Sequence, residues 1–178
     1  MALVWLFVAT LPLVTPRLRA SDEIEYFAYL RSAVFDHDLE FGNEYSYFYE
    51  RNREGLQGFK RTFIDQRDPV TGRHINFGPL GTALFWSPFY LAAHALVLAA
   101  RAVGVDVAAD GYSAPYLVAV CYASALYGLL GLLLTHDALR RHGVFPEPAS
   151  ALAVAGVWLA TPVLYSVSYT HLTAADEL

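Results

Sequence analysis

Charge is scarce in this chain of 178 residues: Asp, Glu, Lys and Arg make up only 16%, against roughly 25% in an ordinary soluble protein. The scarcity is local. Of twelve basic and seventeen acidic side chains, twenty lie between Arg17 and Arg73, while 1–16, 74–100, 111–136 and 148–175 hold none. The last three runs exceed the ~20 apolar residues that a helix needs to cross a bilayer, so the sequence predicts a membrane protein. Cysteine is nearly absent. A lone Cys121 excludes a disulfide framework and a Cys-based metal site, and leaves the redox compartment open. There is no basic block, and the net charge of −5 with a pI near 5.6 gives nucleic acid nothing to bind. GxSxG, P-loop, HExxH and GxGxxG patterns are missing, which removes the common soluble-enzyme readings. His94, His136 and His142 stand singly, without the spacing of metal ligands.

What is present divides along the chain. Residues 2–15 form an apolar stretch ended by Pro16, Arg17 and Arg19. It is short for a span, but it lacks the positive flank of a signal peptide, and 1–16 is read as a first transmembrane helix. Residues 17–73 are polar and rich in aromatics. Ser21 followed by Asp22, Glu23 and Glu25 reads as an N-cap with acid in the first turn. Ile24, Phe27, Leu30 and Val34 then recur at helical spacing, predicting an amphipathic helix near 22–35 that lies along a membrane surface. From Phe35 to Tyr45 acids alternate with aromatics, and Tyr45, Tyr47, Phe48 and Tyr49 supply rings suited to an interface. Residues 50–73 read as charged turns, with breakers at Asp68-Pro69 and Thr71-Gly72.

The apolar runs allow two topologies. Four crossings would put Arg140, Arg141 and His142 on the same side as the long loop. Three crossings, with 79–100 returning to its own face, put 136–148 in the cytoplasm, as the positive-inside rule prefers for short loops. Gly78, Pro79, Gly81, Pro88 and His94 make 79–100 a broken, partly polar segment, and such breaks are tolerated where protein or water satisfies the backbone. The predicted fold is therefore all-α and polytopic. About three transmembrane helices (1–16, 114–135 and 149–165) join juxtamembrane helices in a large extracytoplasmic loop, 17–113, with 79–100 juxtamembrane or re-entrant. The polar run from Ser166 to Leu178 reads as a truncated or foreign tail.

Three sets of side chains are candidates for chemistry. Asp22 and Glu23 stand where the first span leaves the membrane; they are either a proton acceptor or metal holder, or charges that complement the helix dipole. Asp36, Asp38, Asn43 and Glu44 form either a sugar-contacting surface, rings stacking and carboxylates binding hydroxyls, or a solvated loop. Arg73, His74 and Asn76, before the Gly78-Pro79 turn, could meet a phosphate at the membrane surface or rest among lipid headgroups.

An ordered set of segments carries a resemblance. Ser-Asp-Glu-x-x-Tyr-Phe-x-Tyr stands at 21–29, Phe-Asp-x-Asp-Leu at 35–39, and Asn-Phe-Gly-Pro-Leu-Gly-x-Ala-Leu-Phe-Trp-Ser-Pro-Phe at 76–89. Over roughly 1–165 the chain resembles the amino-terminal part of bacterial integral-membrane glycosyltransferases of the GT-C superfamily. The nearest subgroup is the family-39 type, with protein O-mannosyltransferases and lipid A aminoarabinose transferases. The resemblance implies a multi-pass protein of the bacterial inner membrane and an N-terminal fragment of a longer enzyme. That enzyme would move a sugar from a polyprenyl-phosphate donor to an acceptor protein or glycolipid at the extracytoplasmic face. Asp22 would be the catalytic base and Glu23 would position the acceptor or, in some members, a divalent metal; no cofactor is otherwise implied. Asp36, Asp38, Asn43, Arg73, His74 and Asn76 are the expected substrate-binding residues. The family often has a basic residue and paired prolines where this chain reads His74-Ile75-Asn76-Phe77-Gly78-Pro79. Two other classes remain: a secondary transporter built on the broken 76–94 segment, against which stands the lack of acid or base in the apolar runs, and a non-catalytic membrane scaffold.

Overall fold

The structure is a computed structural model that describes residues 2–143 and 146–160; the expected tail, 166–178, lies outside them. Among the described residues the protein is all-helical, its only β-pairing an isolated bridge between Arg67 and His74. The α-helices are α1 (Ala2–Thr10), α2 (Ser21–Arg31), α3 (Gly42–Arg51), α4 (Leu80–Ala102), α5 (Ala114–Arg141) and α6 (Glu147–Ala160). Two of them, α4 and α5, are long and apolar enough to cross a membrane, and α1 and α6 are shorter apolar helices. The chain divides into two compact units, one of 17–120 and one of 2–16 with 121–143 and 146–160.

In the second of these units α1 packs on α6. Trp158 donates its indole N–H to Thr10 Oγ1 at 3.0 Å, and Phe7 meets the indole at 5.9 Å. Helix α5 runs on to Arg141, beyond the expected end at 135. Asp137 and Arg141 pair one turn apart at 2.8 Å, and Arg140 reaches Glu147 at 2.8 Å. These pairs carry the helix through six residues assigned from sequence to the 136–148 loop.

The 17–120 unit holds the polar residues. Its first helix begins one residue earlier than expected, with Ala20 rather than Ser21 as N-cap. Alanine has no oxygen to cap with, and Glu23 supplies it: Oε2 accepts the N–H groups of Arg19 at 2.8 Å and Ala20 at 3.1 Å. Ile24, Phe27 and Leu30 are buried as their spacing predicts. A π-helical turn, Ser32–Asp36, then widens the helix end and brings Phe35 against Tyr90, His94 and Tyr116.

Two sequence expectations are corrected here. Of the rings expected at an interface, Tyr45, Tyr47, Phe48 and Tyr49, two are instead buried, Tyr45 and Phe48. They lie on α3, whose 3.6-residue period sets Phe41, Tyr45 and Phe48 on one buried face. Tyr45 packs against Phe59 and Phe63, and Phe48 against Phe27. Burial pushes the Tyr45 phenol well above its usual pKa. Nor is 79–100 broken. Pro88 removes the N–H that would bond Leu84 C=O four residues back, but the Ser87 hydroxyl donates to that same oxygen at 2.8 Å. With the orphaned carbonyl satisfied, α4 continues for 23 residues.

Helix α4 has two apolar faces. Ala83, Trp86, Tyr90, Ala93 and Val97 are buried, with α2 packed along them: Tyr26 lies 6.1 Å from Trp86 and Phe27 lies 5.6 Å from Tyr90. On the other side Leu84, Leu91 and Leu98, each seven residues apart, stand exposed with Phe85 and Leu96.

Candidate functional site

An open cleft of about 480 Å³ lies in the 17–120 unit. Its walls come from the end of the π-turn, the first turn of α3, Ile64 and the Arg67–His74 bridge. Asp36, Asp38, Glu40, Asn43, Arg67 and His74 provide its charged and polar groups, with Gly42 and Ser46 beside them.

Each carboxylate has a distinct setting. Asp36 is paired with Arg31 and accepts the Asn43 amide N–H at 2.6 Å. Asp38 accepts the Ser32 hydroxyl at 2.7 Å and the Glu40 N–H at 3.1 Å. These bonds, the serine's first, hold its pKa below the usual carboxylate value. Glu40 bonds His74 through the ring Nδ1 and accepts its backbone N–H at 3.3 Å, with Arg67 at 3.6 Å. The turn that presents His74 is tied by Asp68, whose Oδ1 accepts the N–H groups of Val70 and Thr71. The His74 ring lies on Gly42, where a Cβ would sit 2.3 Å from Cε1. Any larger residue at 42 would push the imidazole off the wall.

Behind this wall is a fully buried carboxylate, Glu44. Its Oε1 meets Arg31 Nη1 at 3.1 Å and the Tyr112 hydroxyl at 3.4 Å, while Oε2 has no partner. Burial raises its pKa from 4.5 to about 7, against the opposing pull of its own backbone N–H and of Arg31. The Arg31 guanidinium also covers the Tyr112 ring at 4.6 Å; Tyr112 stacks on Tyr47 at 3.9 Å, and Arg51 covers Tyr47 at 3.5 Å. The sequence places Glu44 on either a sugar-contacting surface or a solvated loop, and its full burial departs from both. Its position on the inward face of α3 keeps it from touching any ligand in solvent.

Of the expected substrate-binding residues, Asp36, Asp38, Asn43 and His74 converge on the cleft. Arg73 is exposed and outside its lining. Asn76 instead bonds protein: its amide donates to Glu25 C=O at 2.9 Å and its oxygen accepts the Gly78 N–H at 2.9 Å. Three carboxylates line the cleft against Arg67, with Arg31 pairing Asp36 from behind, so the balance stays negative and suits hydroxyl groups better than a phosphate. Asp22 and Glu23 stand apart from the lining on the first turn of α2. Glu23 is engaged in the cap. Asp22 is exposed and makes no hydrogen bond or ion pair among the described residues.

Sequence reasoning missed Glu25, Arg31, Glu40, Arg67 and Tyr112. Glu25 is 5% exposed and its Oε1 accepts the N–H groups of Phe77 at 2.6 Å and Gly78 at 3.0 Å. Desolvation raises its pKa, and nearby Asp22 adds to this, while the two N–H groups oppose it. The signal was available, since Glu25 falls beside Ile24 and Ala28 on the apolar side of α2. Among the described residues no group of three or more His, Cys, Asp or Glu side chains is placed to hold a metal ion. The divalent metal implied by resemblance thus finds no ligand set among the described residues.

Compared with known proteins, the chain matches no family model, and neither the curated proteins nor the solved structures contain a match.

Proposed function

We propose that this chain contributes the first extracytoplasmic layer of a multi-pass glycosyltransferase of the bacterial inner membrane. The enzyme uses a polyprenyl-phosphate-linked sugar and an acceptor protein or glycolipid. In this reading α1, α5 and α6 belong to spans, Arg140 and Arg141 face the cytoplasm, and α4 rests at the interface. A crossing α4 would carry its α2 partner, with Arg31 and Asp36, into hydrocarbon, at a cost of about 2.5–3.5 kcal/mol per charge. An interfacial α4 turns its exposed Leu84, Leu91 and Leu98 to lipid and its buried stripe to protein.

The observation that carries the proposal is Asp22, an exposed and unpaired acid on a helix packed along that lipid-facing helix. A lipid-linked donor holds its sugar at this level. The acceptor hydroxyl oxygen attacks the anomeric carbon and its proton passes to the Asp22 carboxylate. The bond from that carbon to the phosphate oxygen breaks, and its electron pair leaves with the polyprenyl phosphate. Asp36, Asp38, Asn43 and His74 offer hydroxyl-binding groups in the cleft.

The test uses the full-length gene product in membranes supplied with labelled polyprenyl-phosphate sugars. Asp22→Asn is expected to lower transfer by at least ~10²-fold, the lower range for a general base, with membrane insertion unchanged. Wild-type turnover by this variant would leave Asp22 only the role of a charge complementing the helix dipole.

A further inference from the structure

Helix α2 does more than pack on α4; it is tied to the turn from which α4 starts. Glu25 Oε1 accepts the N–H groups of Phe77 and Gly78 at 2.6 and 3.0 Å. In return the Asn76 amide donates to Glu25 C=O at 2.9 Å, and the Tyr29 hydroxyl donates to Gly78 C=O at 3.1 Å. The fit leaves no space: a Cβ on Gly78 would sit 3.0 Å from both Glu25 Cβ and Tyr26 Cε1. Four hydrogen bonds and a close approach therefore fix α2 in both height and rotation against the start of α4. Asp22 stands three residues before Glu25 on the same helix, with its Cβ about 5–6 Å away. Next to Asp22, Glu23 closes the helix cap by accepting the N–H groups of Arg19 and Ala20, four and three residues before it. Asp22 is thus held from both sides although its own side chain makes no hydrogen bond or ion pair among the described residues.

We propose that Glu25 is a positioning residue for the transferase, one that sets the place of Asp22 by strapping α2 to the Asn76–Gly78 turn. The inference rests on the reading of Asp22 as base. It adds why a buried acid occurs in a helix whose neighbouring acids are exposed or capping, and why Asn76, expected to bind substrate, binds backbone. A carboxylate suits the task because one oxygen can accept two adjacent N–H groups; glutamine keeps that acceptor oxygen and alanine does not.

Two measurements on the full-length protein test it. In Glu25→Ala, amide hydrogen exchange at Phe77 and Gly78 should accelerate, and kcat should fall by about 10²-fold, the scale of a 1 Å misplacement, with KM nearly unchanged. Glu25→Gln should restore slow exchange and most of kcat. A merely structural glutamate would give no such rescue ordered with turnover. If alanine prevents accumulation in the membrane, Tyr29→Phe together with Asn76→Ala loosens the same strap with Glu25 intact, and the same two readouts apply. Fast exchange with wild-type kcat would overturn the positioning role while leaving the transferase standing. Absence of transfer by the wild type with every donor would sink the transferase and this role with it, whatever the exchange rates.

Discussion

Replacing Arg31 with leucine should destabilise the 17–120 unit by about 3–5 kcal/mol near pH 8, the range for removing one partner of a buried ion pair. Most of that loss should disappear near pH 5. The reason is Glu44, fully buried, with Arg31 as the cation it touches and Asp36 adding repulsion. Tyr112 contributes only a long hydroxyl contact at 3.4 Å. The sign follows from the raised pKa. The folded protein holds the Glu44 proton up to about pH 7, whereas the unfolded chain releases it near 4.5. Folding is therefore favoured most below 4.5, and this group's contribution declines as pH rises through the interval to 7. The slope there approaches about 1.4 kcal/mol per pH unit. Without Arg31 the ionised form keeps its backbone N–H but loses its cation, so the decline extends to higher pH. Glu44→Gln should flatten the dependence in the wild type and rescue Arg31→Leu at pH 8. Thermal unfolding in detergent at pH 5, 6, 7 and 8 reads all four proteins. Equal losses for Arg31→Leu at pH 5 and pH 8 would show that Glu44 is not the group responsible.

The sequence was a good guide where one period ruled a segment. The face of α2 follows from Ile24, Phe27 and Leu30, and α4 lies within two residues of its expected bounds. It was a poor guide where two periods competed. Between Phe35 and Tyr45 acid and aromatic residues alternate, and that two-residue rhythm hid the helical spacing of Phe41, Tyr45 and Phe48. With α3 unread, Glu44 was grouped with the exposed acids, although its neighbours on the helix are core aromatics. Pro88 misled for a different reason. Its cost depends on whether another donor reaches Leu84 C=O, and only the Ser87 rotamer decides that.

The cleft was legible in part. Asp36, Asp38 and Asn43 are close in sequence, so their gathering needs little tertiary information. His74 joins them through the Arg67 bridge and Glu40, contacts that no local pattern signals. In an extended segment successive side chains point to opposite sides; with His74 turned inward, Arg73 faces out. Asp22 was legible as a candidate, but the cap role of Glu23 and the strap role of Glu25 depend on which N–H groups lie within reach. Three acids within four positions, chemically alike, thus sit in three different settings: Asp22 exposed, Glu23 in the helix cap and Glu25 buried on two backbone N–H groups.

Gly111→Ala is the second substitution expected to have a large effect. Gly111 has φ +80° in the turn before α5, where Asp110 Oδ1 accepts the N–H groups of Tyr112 and Ser113 at 2.8 Å each. A left-handed residue with a Cβ costs about 1–2 kcal/mol. At this position the added methyl would also lie 2.7 Å from both the Phe35 ring and the Tyr90 hydroxyl. Neither neighbour can retreat: Phe35 is wedged against Tyr90, His94 and Tyr116, and the Tyr90 hydroxyl already donates to Gly111 C=O at 3.0 Å. Overpacking of this kind adds about 1–3 kcal/mol. Gly104 provides the control, since its φ is +89° but a Cβ there meets open space. Gly104→Ala should therefore lose only the backbone part, and the difference between the two variants in unfolding midpoint isolates the crowding against Phe35 and Tyr90. Equal shifts would mean that this aromatic cluster yields to a methyl group. In that case Tyr112, the next residue, would not be held rigidly over Arg31, and the pH dependence attributed to Glu44 should weaken with it.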